Sequence, residues 1–229
     1  MVQVPRRTAF ADSALVRLLA RWNEAEVREP AASTAERLSQ WLAWTDAIAL
    51  STVLNAQASR AKAAAGTPDD DCARVRDGLA KTIREDSLYA SVDDDATATT
   101  TIDFAPYRLR YLARQQAMEA GVGPLRAKLR SALAARSAEM AKLATVDAVL
   151  EQALEAREHS LLATVPAMLE KRFKRLRQAA LPAPDAPETD AAPMAWLPVF
   201  HQDIRDLLLA ELDFRFQPVD GLLEALRSH

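Results

Sequence analysis

One cysteine, Cys72, in 229 residues leaves nothing for a disulfide to join and no thiolate set for a metal. Three histidines leave little for a histidine-based site. Five glycines and four isoleucines are too few for a fold of strands and tight turns. No stretch approaches the roughly 20 consecutive apolar residues that cross a membrane. The sequence also lacks a phosphate-binding loop, a glycine-rich dinucleotide fingerprint, a G-x-S-x-G elbow and an H-E-x-x-H pair. Net charge is small, −3, so the chain as a whole is neither a polybasic binder nor an acidic tail. No catalytic residue, metal or cofactor is expected from these gaps.

What the chain has in quantity is alanine and leucine, 47 and 30 residues. Both favour helix, and with only 13 valines the expectation is an all-α protein. Charge is unevenly spread. Residues 67–103 carry ten acids and four bases, residues 124–180 six acids and eleven bases, and residues 181–229 nine acids and three bases. The acidic C-terminal piece therefore has a basic helical partner within its own chain. Arg6 and Arg7 precede an apolar stretch, but Asp12, Arg17 and Arg21 interrupt it, so no export signal is read and a cytoplasmic protein without direct membrane insertion is expected.

Helical spacing organises the rest. Leu15, Leu18, Leu19 and Trp22 mark a first helix capped by Asp12 or Ser13. Ser33 and Glu36 form a capping box that opens a long helix to about Ala65. Its stripe of Leu38, Trp41, Leu42, Thr45, Ile48 and Val53, widened by Trp44, Ala47 and Leu54, predicts a helix central to the bundle. Asp69–Asp71 suit a helix start, with Cys72, Val75, Leu79 and Ile83 inward. Residues 91–101 read as a loop. A fourth helix starts at Pro106, turns Leu109, Leu112 and Met118 inward, and stops at Gly121 and Gly123.

From Pro124 to Ala180 leucines recur mostly at three, four or seven residues. One straight helix of that length would span roughly 85 Å, against a radius of gyration near 17 Å for a compact domain of this size. A kink near Pro166 or a projecting coiled-coil arm resolves the conflict. The expected organisation is an elongated helical bundle: an N-terminal bundle over 1–123, a long helix or coiled-coil arm over 124–180, a linker over 181–194, and a tethered amphipathic helical segment over 195–229. That segment must dock on its own body, a second copy or another protein, through Trp196, Phe200, Ile204, Leu208 and Leu212. A short last helix follows, with Leu222, Leu223 and Leu226.

Few residues suggest chemistry. His159 beside Glu155 and Glu158 could hold a metal, but a surface ion pair explains the same residues; His201 with Asp203 and Arg205 is a weaker case. Asp46 lies beside Leu42, Leu50 and Val53 on an apolar face. It reads either as a general acid or base, or as the buried half of an inter-helix pair that fixes register. Cys72 reads as a small core residue. Trp41 and Trp44 read as core before they read as a binding platform. Lys171, Arg172, Lys174, Arg175 and Arg177 surround a narrow apolar edge of Leu169, Phe173 and Leu176. That basic face could bind nucleic acid, an acidic partner or the chain's own acidic end.

Four stretches carry a family likeness: PRRTAFADSALVRLLARW at 5–22, RLSQWLAWTDAIALS at 37–51, LLATVPAMLEKRFKRLR at 161–177 and LLLAELDFRFQPVDGLLEAL at 207–226. With these, nearly the whole chain resembles a proteobacterial domain-of-unknown-function family. Genes of that family sit beside ones for MotA-like and MotB-like proton-channel subunits, in the third type of Zorya anti-phage defence. The resemblance implies a cytoplasmic, non-enzymatic accessory or effector that works with an ion-driven membrane motor. The apolar helical edges add the expectation of a homo-oligomer or a complex with a co-encoded protein, and the resemblance that of contact with the MotA-like subunit's cytoplasmic tail. It transfers no catalytic residues.

Overall fold

In the computed structural model the described residues are 13–22, 44–56, 68–89, 102–181 and 195–228. Every regular element among them is helical, so the all-α expectation holds. The elements are α1 (Ala14–Trp22), α2 (Trp44–Asn55), α3 (Pro68–Arg84), a 3₁₀ turn (Ser87–Tyr89), α4 (Ala105–Arg136), α5 (Ala138–Leu162), α6 (Val165–Ala179) and α7 (Trp196–Ser228). The capping box at Ser33, Leu38, Trp41 and Leu42, the loop at 91–101 and all of the linker but Leu181 lie outside the described residues. No described helix is long and apolar enough to cross a membrane.

The residues gather into two compact units, and three helices contribute to both. The first holds α1, α3 from Leu79, the 3₁₀ turn, α4 to Ala117, α6, and α7 to Phe214. The second holds α2, α3 to Gly78, α4 from Met118, α5, and α7 from Arg215.

Breaks fall in places that differ from the sequence expectation. α4 does not stop at Gly121 and Gly123 but runs through Pro124 to Arg136. Pro124 leaves the Ala120 carbonyl without its helical donor, and both residues face solvent, where water can serve instead. The helix ends at Arg136, and Ser137 turns to φ −154°, its side chain accepting the Met140 N–H at 3.2 Å to cap α5. The seven-residue step from Leu133 to Met140 hides that break, because the leucine rhythm continues across it. A second break comes at Ala163–Thr164, just before Val165 and Pro166 open α6. The expected stop after Leu212 is absent. α7 continues past Pro218 because Phe216, Val219, Leu222, Leu223 and Leu226 are all buried, and their packing outweighs the ring's cost of about 3 kcal/mol.

α2 corrects a second expectation. It packs on α5 but buries none of its described side chains; Ile48 is 52% and Leu54 48% exposed. The half-covered edge is Asp46, Leu50 and Val53. A helix apolar nearly all round offers no periodic clue to which side packs. On α1, Leu15 and Trp22 are buried as expected, with Leu18 and Leu19 half-covered.

Candidate functional site

Several polar groups of the first unit lie inside it. Tyr107, Tyr111 and Gln115 follow one another at four-residue steps on α4, so they share a face. That face meets His201 and Glu211 of α7. Tyr107 Oη and His201 Nε2 share a hydrogen bond of 2.9 Å. Tyr111 Oη donates to Glu211 Oε2 at 2.5 Å, and Gln115 Nε2 donates to both carboxylate oxygens at 3.0 and 3.1 Å. All five side chains belong to buried residues. Rings close around the upper pair: Phe200 meets Tyr107 edge-on at 5.2 Å, Phe173 meets Phe200 and Trp196 at 5.0 Å each, and Phe104 meets Phe173 at 5.5 Å. Tyr89 stacks on Tyr107 at 6.5 Å.

Below Tyr89, Asp86 anchors the 3₁₀ turn. It accepts from Arg114 Nε and Nη2 at 3.0 and 2.5 Å and from the Leu88 N–H at 3.2 Å, with Arg110 at 3.7 Å. Burial, with Asp86 close by, pushes the Tyr89 phenol up, and burial pushes that of Tyr107 up as well. Burial also pushes His201 down to about 4, with Arg205 adding to the effect. The five side chains of the α4–α7 face satisfy one another, whereas the Tyr89 hydroxyl is buried without a hydrogen-bond partner.

His201 gives the first prediction. Its ring is neutral in the folded unit, whereas in the unfolded chain it takes a proton near pH 6.5. The unfolded state therefore binds more protons between the two values, and stability falls as pH drops from about 6.5 to about 4. The loss between pH 7 and pH 5 is about 2 kcal/mol. Urea midpoints at the two pH values, compared with those of His201→Gln, will show that loss in the parent and a much smaller one in the variant.

In the second unit the charges pair across helices. Arg126 holds Asp147 at 2.7 and 2.9 Å, and Arg130 reaches Asp147 at 3.0 Å and Glu151 at 2.5 Å, which locks α4 to α5. Lys128 and Arg74 bond Asp71 and hold its carboxyl below the usual range. Between α3 and α7 lies a cleft of about 210 Å³ lined by Asp69, Cys72, Arg76, Phe216, Asp220 and Arg227, among others. Its charges are already matched: Arg76 with Asp220 at 2.6 Å and Arg227 with Asp69. Arg76 also lies 4.5 Å above the Phe216 ring. Cys72 is buried, as expected, and burial followed by the nearby Asp69 pushes its thiol up, away from nucleophilic use.

The residues singled out in the sequence separate into three groups. Trp196, Phe200, Ile204, Leu208 and Leu212 are all buried in the chain's own first unit. The first part of α7 thus docks on the chain's own first unit. Of the five bases, Arg172 pairs with Asp203 at 2.8 Å, which joins the basic helix to the acidic C-terminal piece. Arg175 donates to the Trp22 carbonyl at 2.9 Å, Lys174 to Glu170 at 2.6 Å, and Arg177 sits 5.9 Å over Phe173; Lys171 is exposed. Finally, Asp46 is half-buried at the start of α2 and His159 is exposed at the end of α5. Among the described residues no cluster of three His, Cys, Asp or Glu side chains could hold a metal.

Aliphatic periodicity alone does not reveal the polar ladder. Leu109, expected inward on α4, is 70% exposed, and Tyr107, Tyr111 and Gln115 take the inner face instead. Their spacing of four was the available signal.

These contacts tie helices to one another within each unit of an all-helical protein. The chain belongs to the family described as "Protein of unknown function (DUF3348)", whose model matches residues 1–228. No curated protein and no solved structure matches the chain.

Proposed function

We propose that this protein is a non-enzymatic helical interaction protein, an accessory or effector of a Zorya-type anti-phage defence system that works beside an ion-driven membrane motor. The defence context rests on the sequence stretches quoted above. The observation that carries the interaction reading is the apolar surface of α2 and α5, where Ile48, Leu54 and Leu143 face solvent on two helices packed together. Large aliphatic side chains set on a rigid helix pair are the material of helix-to-helix recognition. Asp46, Leu50 and Val53 form the half-covered edge that seats α2, which leaves Ile48 and Leu54 to meet a second copy or the cytoplasmic tail of a MotA-like subunit.

The test is co-expression with the products of the neighbouring MotA-like and MotB-like genes, read by co-purification and solution mass. Ile48→Asp with Leu54→Asp is expected to weaken association tenfold or more, roughly the effect of losing a central apolar contact, while helicity is unchanged. A parent protein that stays a monomer alone and with those products would sink the reading.

A further inference from the structure

Two helices of the first unit, far apart in sequence, pool their charge. α1 carries Arg17 and Arg21 and no acid; α6 carries Lys171, Arg172, Lys174, Arg175 and Arg177 against a single acid, Glu170. α1 packs directly on α6. Arg175 fastens the junction by donating to the Trp22 carbonyl, one of the acceptors that the end of α1 leaves open. Arg172 covers the Trp22 ring at 6.0 Å and is neutralised by Asp203 from α7. Every other base of the two helices is exposed. Arg17 and Arg21, one turn apart, point opposite to Leu15 and Trp22, and among the described residues neither they nor Lys171 has an ion pair. Among the described residues Lys174 is held only by an exposed pair with Glu170 four residues away, an interaction weak enough for a stronger anion to displace.

We propose that α1 and α6 together form a docking face for the phosphate backbone of double-stranded nucleic acid, with Arg17 and Arg21 joining Lys171, Lys174 and Arg177. Three features favour this occupant. Single strands bind through exposed aromatic platforms, and here Trp22 and Phe173 are buried beneath guanidinium groups. Membrane-surface helices set large apolar side chains among their cations, and none of the exposed large apolar residues lies on α1 or α6. An acidic protein partner would bring an apolar centre to desolvate, which this face does not offer. What remains is a rigid cationic surface without base-reading groups, suited to contacts with phosphates and indifferent to sequence.

The experiment is fluorescence anisotropy of the full chain with a mixed-sequence DNA duplex across 50–300 mM KCl. With about five phosphates neutralised, log K should fall against log[salt] with a slope of about −4 to −5. Arg17→Glu with Arg21→Glu should weaken binding at 0.1 M salt on the order of 50-fold and flatten the slope by about 2, since each contact supplies about 0.9 logarithmic units per decade of salt. Lys171→Glu with Lys174→Glu should do the same. All four are exposed, so unchanged circular dichroism and melting temperature show that the fold persists. Absent or salt-insensitive binding, or full binding by the Arg17/Arg21 variant, overturns the proposal. So does tighter binding to single-stranded DNA, to polyglutamate or to phosphatidylserine vesicles than to the duplex.

Discussion

Phe173→Ala is expected to destabilise the first unit by about 3–5 kcal/mol, the range for emptying a fully enclosed aromatic site. Phe173 is 2% exposed and makes ring contacts with Phe104, Tyr107, Trp196 and Phe200, at 5.0 to 6.0 Å between centroids. It also carries the Arg177 guanidinium on its face. Its neighbours are large, flat and mutually braced, so the void cannot collapse easily and the cavity adds its own cost. Thermal melting should show a drop of roughly 10 °C, at a few degrees per kcal/mol for a chain of this size. Val199→Ala is the control. Val199 lies next to Phe200 but is exposed, and its truncation should change stability by less than about 0.5 kcal/mol. Equal losses for the two variants would mean that the ring cluster does not hold α4, α6 and α7 together.

The helical class was plain from alanine, leucine and the scarcity of β-branched residues, and so were the individual helices with one clear apolar edge. Cys72, Ile83, Leu129, Leu133, Leu169 and Phe173 are buried, as their spacing requires. Helix ends were harder to read. Prolines 124 and 218 lie inside helices and Ser137 ends one. A proline stops a helix only when packing on either side is worth less than the lost bond, and the buried side chains around Pro218 reverse that balance. Burial direction failed where a helix was apolar on every side, as in α2, and where polar side chains held an inner face, as in α4. Tyr107, Tyr111 and Gln115 are buried because α7 supplies His201 and Glu211 at matching heights. A single helix's pattern does not contain that information. The basic face was half legible. Its α6 portion forms a run in sequence, whereas Arg17 and Arg21 join it only through the packing of α1.

Asp86→Ala should cost a similar 3–5 kcal/mol, by a different route. Its carboxylate is 1% exposed and stands between the Arg114 guanidinium, which approaches through two nitrogens, and the Leu88 N–H. Truncation strands Arg114, itself 20% exposed, and removes the acceptor that shapes the turn carrying Tyr89 into the ring cluster. Asp86→Asn separates the two roles. It keeps an oxygen for the Leu88 N–H and discards the charge, so it should lose less than the alanine variant. Arg114→Met in the Asp86→Ala background should recover part of the loss, because the orphaned cation goes with it. Urea unfolding of the parent, Asp86→Ala, Arg114→Met and the double variant closes the cycle, and a coupling of about 1–3 kcal/mol between the two sites is expected. Strictly additive effects would mean that Asp86 supports the turn alone and that its pairing with Arg114 does not contribute to the fold.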